Sequence, residues 1–134
     1  MATILVTGAS GRIGGALRKV WPGYLPASLR PVWMARRPLP EQPVPVEPDD
    51  LPLTGGVVLA LAGVTGGSAE ALRGNVTLSL AACDLARRQG ARHVFLCSSA
   101  AVYGRGQGQD LAEDAELAPA NDYGRAKCEM EAAA

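Results

Sequence analysis

Short apolar runs alternate with amphipathic stretches along the chain, and that alternation sets the expected elements. Thr3-Ile4-Leu5-Val6 is an apolar run that stops at Gly8 and reads as a buried strand. Ile13, Leu17 and Val20 then recur at i, i+4 and i+7, one face of a helix that Pro22-Gly23 should end. Residues 21 to 30 read as a loop and Val32-Trp33-Met34-Ala35 as a second strand. Val57 to Ala62 is almost continuously apolar, as a strand covered on both faces of a parallel sheet must be. The strongest helix pattern spans residues 68 to 89. Leu72, Val76, Leu80 and Cys83 form one stripe, and Leu78, Ala82 and Leu85 form a second. Arg87-Arg88 and Gly90 suit its C-terminal end. Two stripes predict two buried faces: one on the sheet, the other under a loop or, the preferred reading, on a second copy in a homodimer through helix 68–89. His93 to Cys97 is a further strand, and residues 104 to 118 form a glycine-rich, acidic loop. The last helix begins near Asn121 or Asp122. Strands alternating with helices predict an α/β fold on a parallel sheet.

Residues 38 to 52 hold six prolines. Gln42, Val44 and Glu47 each precede one, which biases them to extended backbone. Pro43 and Pro45 are two apart, so their missing N–H groups would face one side of a strand. A strand Val44 to Val46 could then pair on one edge only, which suits an outermost position. The link over residues 47 to 56 is short for a parallel crossover, so a helix is expected to be trimmed away there.

Composition narrows the function classes. The chain has 134 residues, one domain's worth, with 13 basic and 13 acidic side chains in balance. Zero net charge argues against a nucleic acid or membrane surface held by bulk charge. No apolar run approaches a membrane span, and Met1 leads directly into the first strand, so a cytoplasmic location is expected. Cys83, Cys97 and Cys128 are far apart and His93 is the one histidine, so no zinc or other metal site is expected.

The first chemistry lies in the turn after the first strand. Gly8, Gly11 and Gly14 fall at a G-x-x-G-x-x-G spacing between strand and helix, with Ser10, Arg12 and Ile13 between them. A helix N-terminus offers unpaired N–H groups and a positive dipole end, which attract a pyrophosphate. Glycine allows the backbone to approach the phosphates closely. Two later stretches carry reactive groups. Ser98-Ser99-Ala100-Ala101-Val102-Tyr103-Gly104 lies just past a strand's C-terminal end, where open α/β sheets place ligands. Tyr123 and Lys127 share a helix face at i, i+4, and an ammonium near a phenol favours the phenolate. Such a tyrosine can move a proton.

Taken in order, these stretches resemble the extended short-chain dehydrogenase/reductase family, the NAD-dependent epimerase/dehydratase type. The matching residues are Thr7 to Gly14 at the glycine turn and Leu61-Ala62-Gly63 after the fourth expected strand. Asn75-Val76-Thr77 with Ala81-Ala82, the serine stretch from Ser98 to Gly104, Glu113-Asp114, Pro119 and Tyr123-Gly124-Arg125-Ala126-Lys127 complete the likeness. It runs from about residue 3 to 131. The resemblance implies a Rossmann-type doubly wound sheet of about five strands in order 3-2-1-4-5. It implies that Ser99 bonds the substrate's reacting oxygen, that Tyr123 transfers the proton, and that Lys127 holds the nicotinamide ribose and polarises Tyr123. It places Asn75 near the site, against the plainer reading of an exposed helix residue. It implies hydride transfer on a sugar nucleotide or a carbonyl or hydroxyl compound.

Charge separates the cofactors. An NAD site would carry an acidic residue after the second strand, whereas Ala35-Arg36-Arg37 stands here. Guanidinium groups suit a 2′-phosphate, and Arg12 could add a further charge, so NADP is expected over NAD. Asp49 or Asp50 is expected near the adenine, Asp50 preferred, or else as a plain turn residue. Family members are roughly twice as long, so residues 1–134 are expected to be one dinucleotide-binding domain without its last strands and substrate domain. The enzyme reading is then conditional on that second half. The competing reading is a non-catalytic NADP(H)-binding module or an inactive fragment.

Overall fold

A computed structural model describes residues 1–42, 44, 46–104 and 110–134. In chain order the elements are β1 (Ala2–Thr7), α1 (Arg12–Tyr24), β2 (Leu29–Met34), β3 (Val57–Ala60), α2 (Ala69–Leu72), α3 (Gly74–Arg88), β4 (His93–Leu96) and α4 (Asp122–Ala133). Short 3-10 turns stand at Pro48–Asp50 and Ala100–Tyr103. The fold is α/β and Rossmann-type, with all strand pairs parallel in the order β2-β1-β3-β4. Two compact units are present: Met1–Ala62 with Ala81–Leu96, and Gly63–Leu80 with Cys97–Ala134.

The first unit is built by apolar burial on both faces of its sheet. Side chains alternate along a strand, so Leu5 and Val6 serve opposite faces. Leu5 joins Val32, Leu53, Val58 and Ala60 against Ala82, Leu85 and Ala86 of α3. Val6 joins Ala9, Trp21, Trp33 and Leu39 on the other. Trp21 of α1 meets Trp33 of β2 edge to face, 5.3 Å between ring centroids at 84°. In β4 the alternation is one-sided: Val94 and Leu96 pack into the core, while His93 and Phe95 are exposed.

The second unit packs α2, the start of α3, the Ala100–Tyr103 turn and α4. A Cβ on Gly124 would stand 2.5 Å from the Ala101 carbonyl oxygen, so the tyrosine's neighbour must be glycine for the turn to lie on α4. Asn121 caps α4, its Oδ1 accepting from the Gly124 N–H at 2.8 Å.

Several expectations are corrected. The sheet has four strands among the described residues, not five. Val44 lies in a bend and Val46 in no strand, while Pro43 and Pro45 lie outside the described residues. The outer edge of β2 is met instead by one side chain. Gln42 Oε1 accepts from the Trp33 N–H at 3.0 Å, and Gln42 Nε2 donates to the Trp33 carbonyl at 2.7 Å. A primary amide carries the same donor and acceptor as a peptide group, so it completes the ladder there without a strand. Helix α1 runs through Pro22 to Tyr24, ending where Leu25 becomes extended. The expected helix 68–89 is divided at Arg73 into α2 and α3. Its stripes are in phase only in part: Leu72, Ala82 and Leu85 are buried as expected. Leu78 and Leu80 are exposed, while Asn75 and Ser79 are buried in line with Leu72, Ala82 and Ala86. Two polar residues that hydropathy discounts hold the inward face. Residues 105–109 of the glycine-rich loop lie outside the described residues.

Candidate functional site

The first unit carries the glycine turn. Gly8 has φ +68°, and a Cβ there would stand 2.6 Å from the Ala62 N–H nitrogen. The Leu61-Ala62 segment therefore lies directly on the turn. Thr7 Oγ1 fixes it by accepting from the Ala62 N–H at 3.3 Å. The Gly11 N–H closes the turn on the Gly8 carbonyl at 2.9 Å. Gly11 is the N-cap of α1 and supplies no side-chain acceptor, and the first helical turn has no acidic residue. The leading N–H groups and the positive end of the dipole are thus left to an anion. That fits a pyrophosphate, and the turn admits its close approach. Gly14 is buried in the turn, while Ser10, Arg12 and Ile13 are exposed around it.

Ser10, Arg36 and Arg37 line one cleft of this unit. Arg36 and Arg37 follow the end of β2, and both are exposed. Asp50 is exposed in the Pro48–Asp50 turn. That turn is anchored through its neighbour: Asp49 accepts from Arg88 with its carboxylate and from Gln89 Nε2 with its carbonyl at 3.0 Å.

The second unit gathers Gly63, Asn75, Ser99, Tyr123 and Lys127. Lys127 is 5% exposed on α4. Its Nζ donates to the Cys97 carbonyl at 2.7 Å and lies 5.9 Å from the centre of the Tyr123 ring. Burial lowers the Lys127 ammonium below its ordinary value, against the opposing pull of Cys97 and Glu131. Ser99 caps the Ala100–Tyr103 turn, its Oγ accepting from the Ala101 N–H at 3.2 Å. The turn is pinned further on, where the Tyr103 hydroxyl donates to the Glu113 carbonyl at 3.2 Å.

Asn75 is 1% exposed, so it is not a surface residue. Its Oδ1 accepts from the Val64 N–H at 3.1 Å, and its Nδ2 donates to the carbonyls of Val64 and Leu72, both at 2.8 Å. The amide is engaged on both ends, and it holds the Gly63-Val64 segment in place. A Cβ at Gly63 would stand 3.0 Å from Asn75 Oδ1 and 3.8 Å from Lys127 Nζ. The sequence reading missed the Cys97 carbonyl, which has no side-chain signature, and the packing role of Gly124, which only its place beside Tyr123 could have suggested.

The parallel sheet and the glycine turn at the head of α1 define a Rossmann-type α/β protein. The sequence profile of the NAD dependent epimerase/dehydratase family matches residues 56–134. The chain belongs to that family, of which it spans the N-terminal part. Among solved structures it is similar to MoeE5 in complex with UDP-glucose and NAD, with 28% identity and a TM-score of 0.75 over 98% of this chain and 48% of that one. It is similar to a short-chain dehydrogenase/reductase superfamily protein from Agrobacterium tumefaciens with bound NAD, with 26% identity and a TM-score of 0.73 over 98% of this chain and 43% of that one. RMD from Pseudomonas aeruginosa, complexed with NADPH, shares the fold at 23% identity, with a TM-score of 0.75 over 98% of this chain and 47% of that one. The chain thus spans about half the length of the structures it matches. No match was found among curated protein sequences.

Proposed function

We propose that this chain supplies the dinucleotide cradle and the proton-transfer residues of an NADP(H)-dependent oxidoreductase or epimerase-type enzyme. Its substrate class is a sugar nucleotide or a carbonyl or hydroxyl compound. The observation that carries the reading is Lys127, buried on the same face of α4 as Tyr123 and tied to Cys97 two residues before Ser99. A bound nicotinamide would accept or donate the hydride. Tyr123 gives or takes the proton at the substrate oxygen, Ser99 holds that oxygen, and Lys127 binds the ribose and keeps positive charge beside the phenol. Asn75 acts as a positioning residue through Gly63 and Val64. Gly8, Ser10, Gly11, Arg12, Ile13 and Gly14 receive the pyrophosphate, with Leu61, Ala62 and Gly63 along the dinucleotide and Asp50 toward the adenine. The substrate is chosen by a further half of the enzyme, the reaction takes place in the cytoplasm, and the exposed Leu78 and Leu80 of α3 meet a second copy.

The Ser10, Arg36 and Arg37 cleft supports NADP over NAD, since guanidinium pairs with a phosphate dianion and not with a hydroxyl. Fluorescence titration with NADPH and NADH, run beside a size measurement, tests both cofactor and dimer. The expected result is tighter NADPH binding, weakened about tenfold by Arg36→Ala with Arg37→Ala while NADH binding is unchanged. Equal affinity for both dinucleotides, unmoved by these substitutions, would remove the NADP reading. Turnover in the full-length enzyme should fall about 10²- to 10⁴-fold in Tyr123→Phe. The half-length coverage favours one other reading, a non-catalytic NADP(H)-binding module; NADPH binding without reduction of any carbonyl in a broad panel would support it.

A further inference from the structure

Ser98 has no part in the roles above, yet its Oγ donates to a carboxylate oxygen of Glu131. Glu131 lies four residues beyond Lys127 on α4, as Lys127 lies four beyond Tyr123. The three therefore follow one another along a single helix face. The neighbouring Cys97 carbonyl receives Lys127 Nζ at 2.7 Å. The segment that leads into Ser99 is thus tied to α4 twice in succession, once by its backbone and once by a hydroxyl.

We propose that Glu131 is a positioning residue of the proton-transfer set, holding Ser98 on α4 and supplying the negative charge that faces the Lys127 ammonium. The proposal rests on the reading of Tyr123 and Lys127 given above. Two functions meet in one carboxylate. Anchored by Ser98, it keeps the residue before Ser99 against the helix that carries Tyr123. Fixed in place, it offsets part of the cost of burying Lys127, whose protonated form burial disfavours.

The groups around Lys127 leave this role to few candidates. On α4 they are Tyr123, Cys128, Glu129 and Glu131; the serine segment adds Cys97. From the 3-10 turn comes Tyr103, whose hydroxyl is given to Glu113. The α2 side offers Glu70 and Arg73, and Arg73 pairs with Glu129 at 3.6 Å. Asp122 and Arg125 pair with each other. Among the described residues, the Cys97 thiol and the Glu131 carboxylate act to raise the Lys127 ammonium. Of these two, Glu131 is the one on the same helix face as Lys127, and its carboxylate is held in place by Ser98.

The chain has two lysines, Lys19 in the first unit and Lys127 in the second. A pH titration by NMR of protein labelled with ¹³C at the lysine ε-carbon therefore gives two signals, with the exposed Lys19 as internal reference. Glu131→Gln should move the Lys127 midpoint to lower pH and leave Lys19 in place. Ser98→Ala should move it the same way by less, because the carboxylate stays but loses its anchor. Glu131→Asp should restore part of the difference. An unmoved Lys127 midpoint in a folded Glu131→Gln protein overturns the proposal. Should that variant not fold, the same null result in Ser98→Ala overturns it. The titration needs no dinucleotide, so its outcome is separate from NADPH binding. A chain that binds no NADPH but shows the shift loses the functional reading and keeps the Glu131 assignment; NADPH binding with no shift does the reverse.

Discussion

The two units of this protein are held by different means. In the first, every buried side chain among the described residues is apolar, and the two faces of a parallel sheet are each filled. In the second, Asn75, Ser79 and Lys127 are buried beside Leu72, Val102, Ala126 and Met130. Its loops are set by directed bonds: Asn75 to Val64, Lys127 to Cys97, Ser98 to Glu131 and Tyr103 to Glu113. Apolar burial is strong and insensitive to direction, so it suits a platform. Hydrogen bonds are modest in net energy but fix geometry, so they suit residues that must meet a reacting atom. The contrast predicts that one unit fails by loss of volume and the other by loss of a single partner.

The strongest way to break that contrast is a cavity in the first unit. Leu53 is fully buried, and Leu53→Ala should cost about 2–5 kcal/mol in urea unfolding. A loss under 1 kcal/mol would mean that its core is not what holds the first unit. In the second unit, Asn75→Ala should cost about 1–3 kcal/mol, since it strands the Val64 N–H and two carbonyls. Asn75→Leu, which restores volume but no bonds, should not recover it; recovery would show that the second unit too is held by packing.

The smallest effect is one of pH. Burial lowers Lys127 from 10.5, so between its lowered value and 10.5 the unfolded chain binds more protons than the folded one. Stability from this group therefore rises with pH across that window, and its penalty is fully present below it. Lys127→Met abolishes the penalty. Its unfolding midpoint should stand closest to that of the native chain at the alkaline end and gain on it as pH falls. A difference independent of pH would contradict the assigned cause.

Much of the first unit was legible along the chain. β1, β3 and β4 follow from apolar runs and the turn from three glycines; in the second unit, the start of α4 falls where the sequence put it, near Asn121 or Asp122. Each of these signals is local. The outer edge of β2 was not legible, because a glutamine side chain took the place of a strand, and nothing in Gln42 distinguishes it from a surface residue. The inward face of α3 was legible at Ala82 and Leu85 but not at Asn75 and Ser79, which hydropathy counts as outward. In the site, Tyr123, Lys127 and Ser99 stand out as residue types at a spacing. The Ser98–Glu131 bond joins residues 33 apart in sequence and exists only once the chain is folded.

Both tryptophans of the chain sit in the first unit, crossed edge to face at 5.3 Å. Indole emission is therefore a private signal of that unit. Two of the three tyrosines, Tyr103 and Tyr123, belong to the second. With Tyr24 in the first unit, the tyrosine signal is weighted toward the second unit, while the tryptophan signal reports the first alone. Melting read at tryptophan and at tyrosine wavelengths will show whether the apolar platform and the polar site come apart together or in turn.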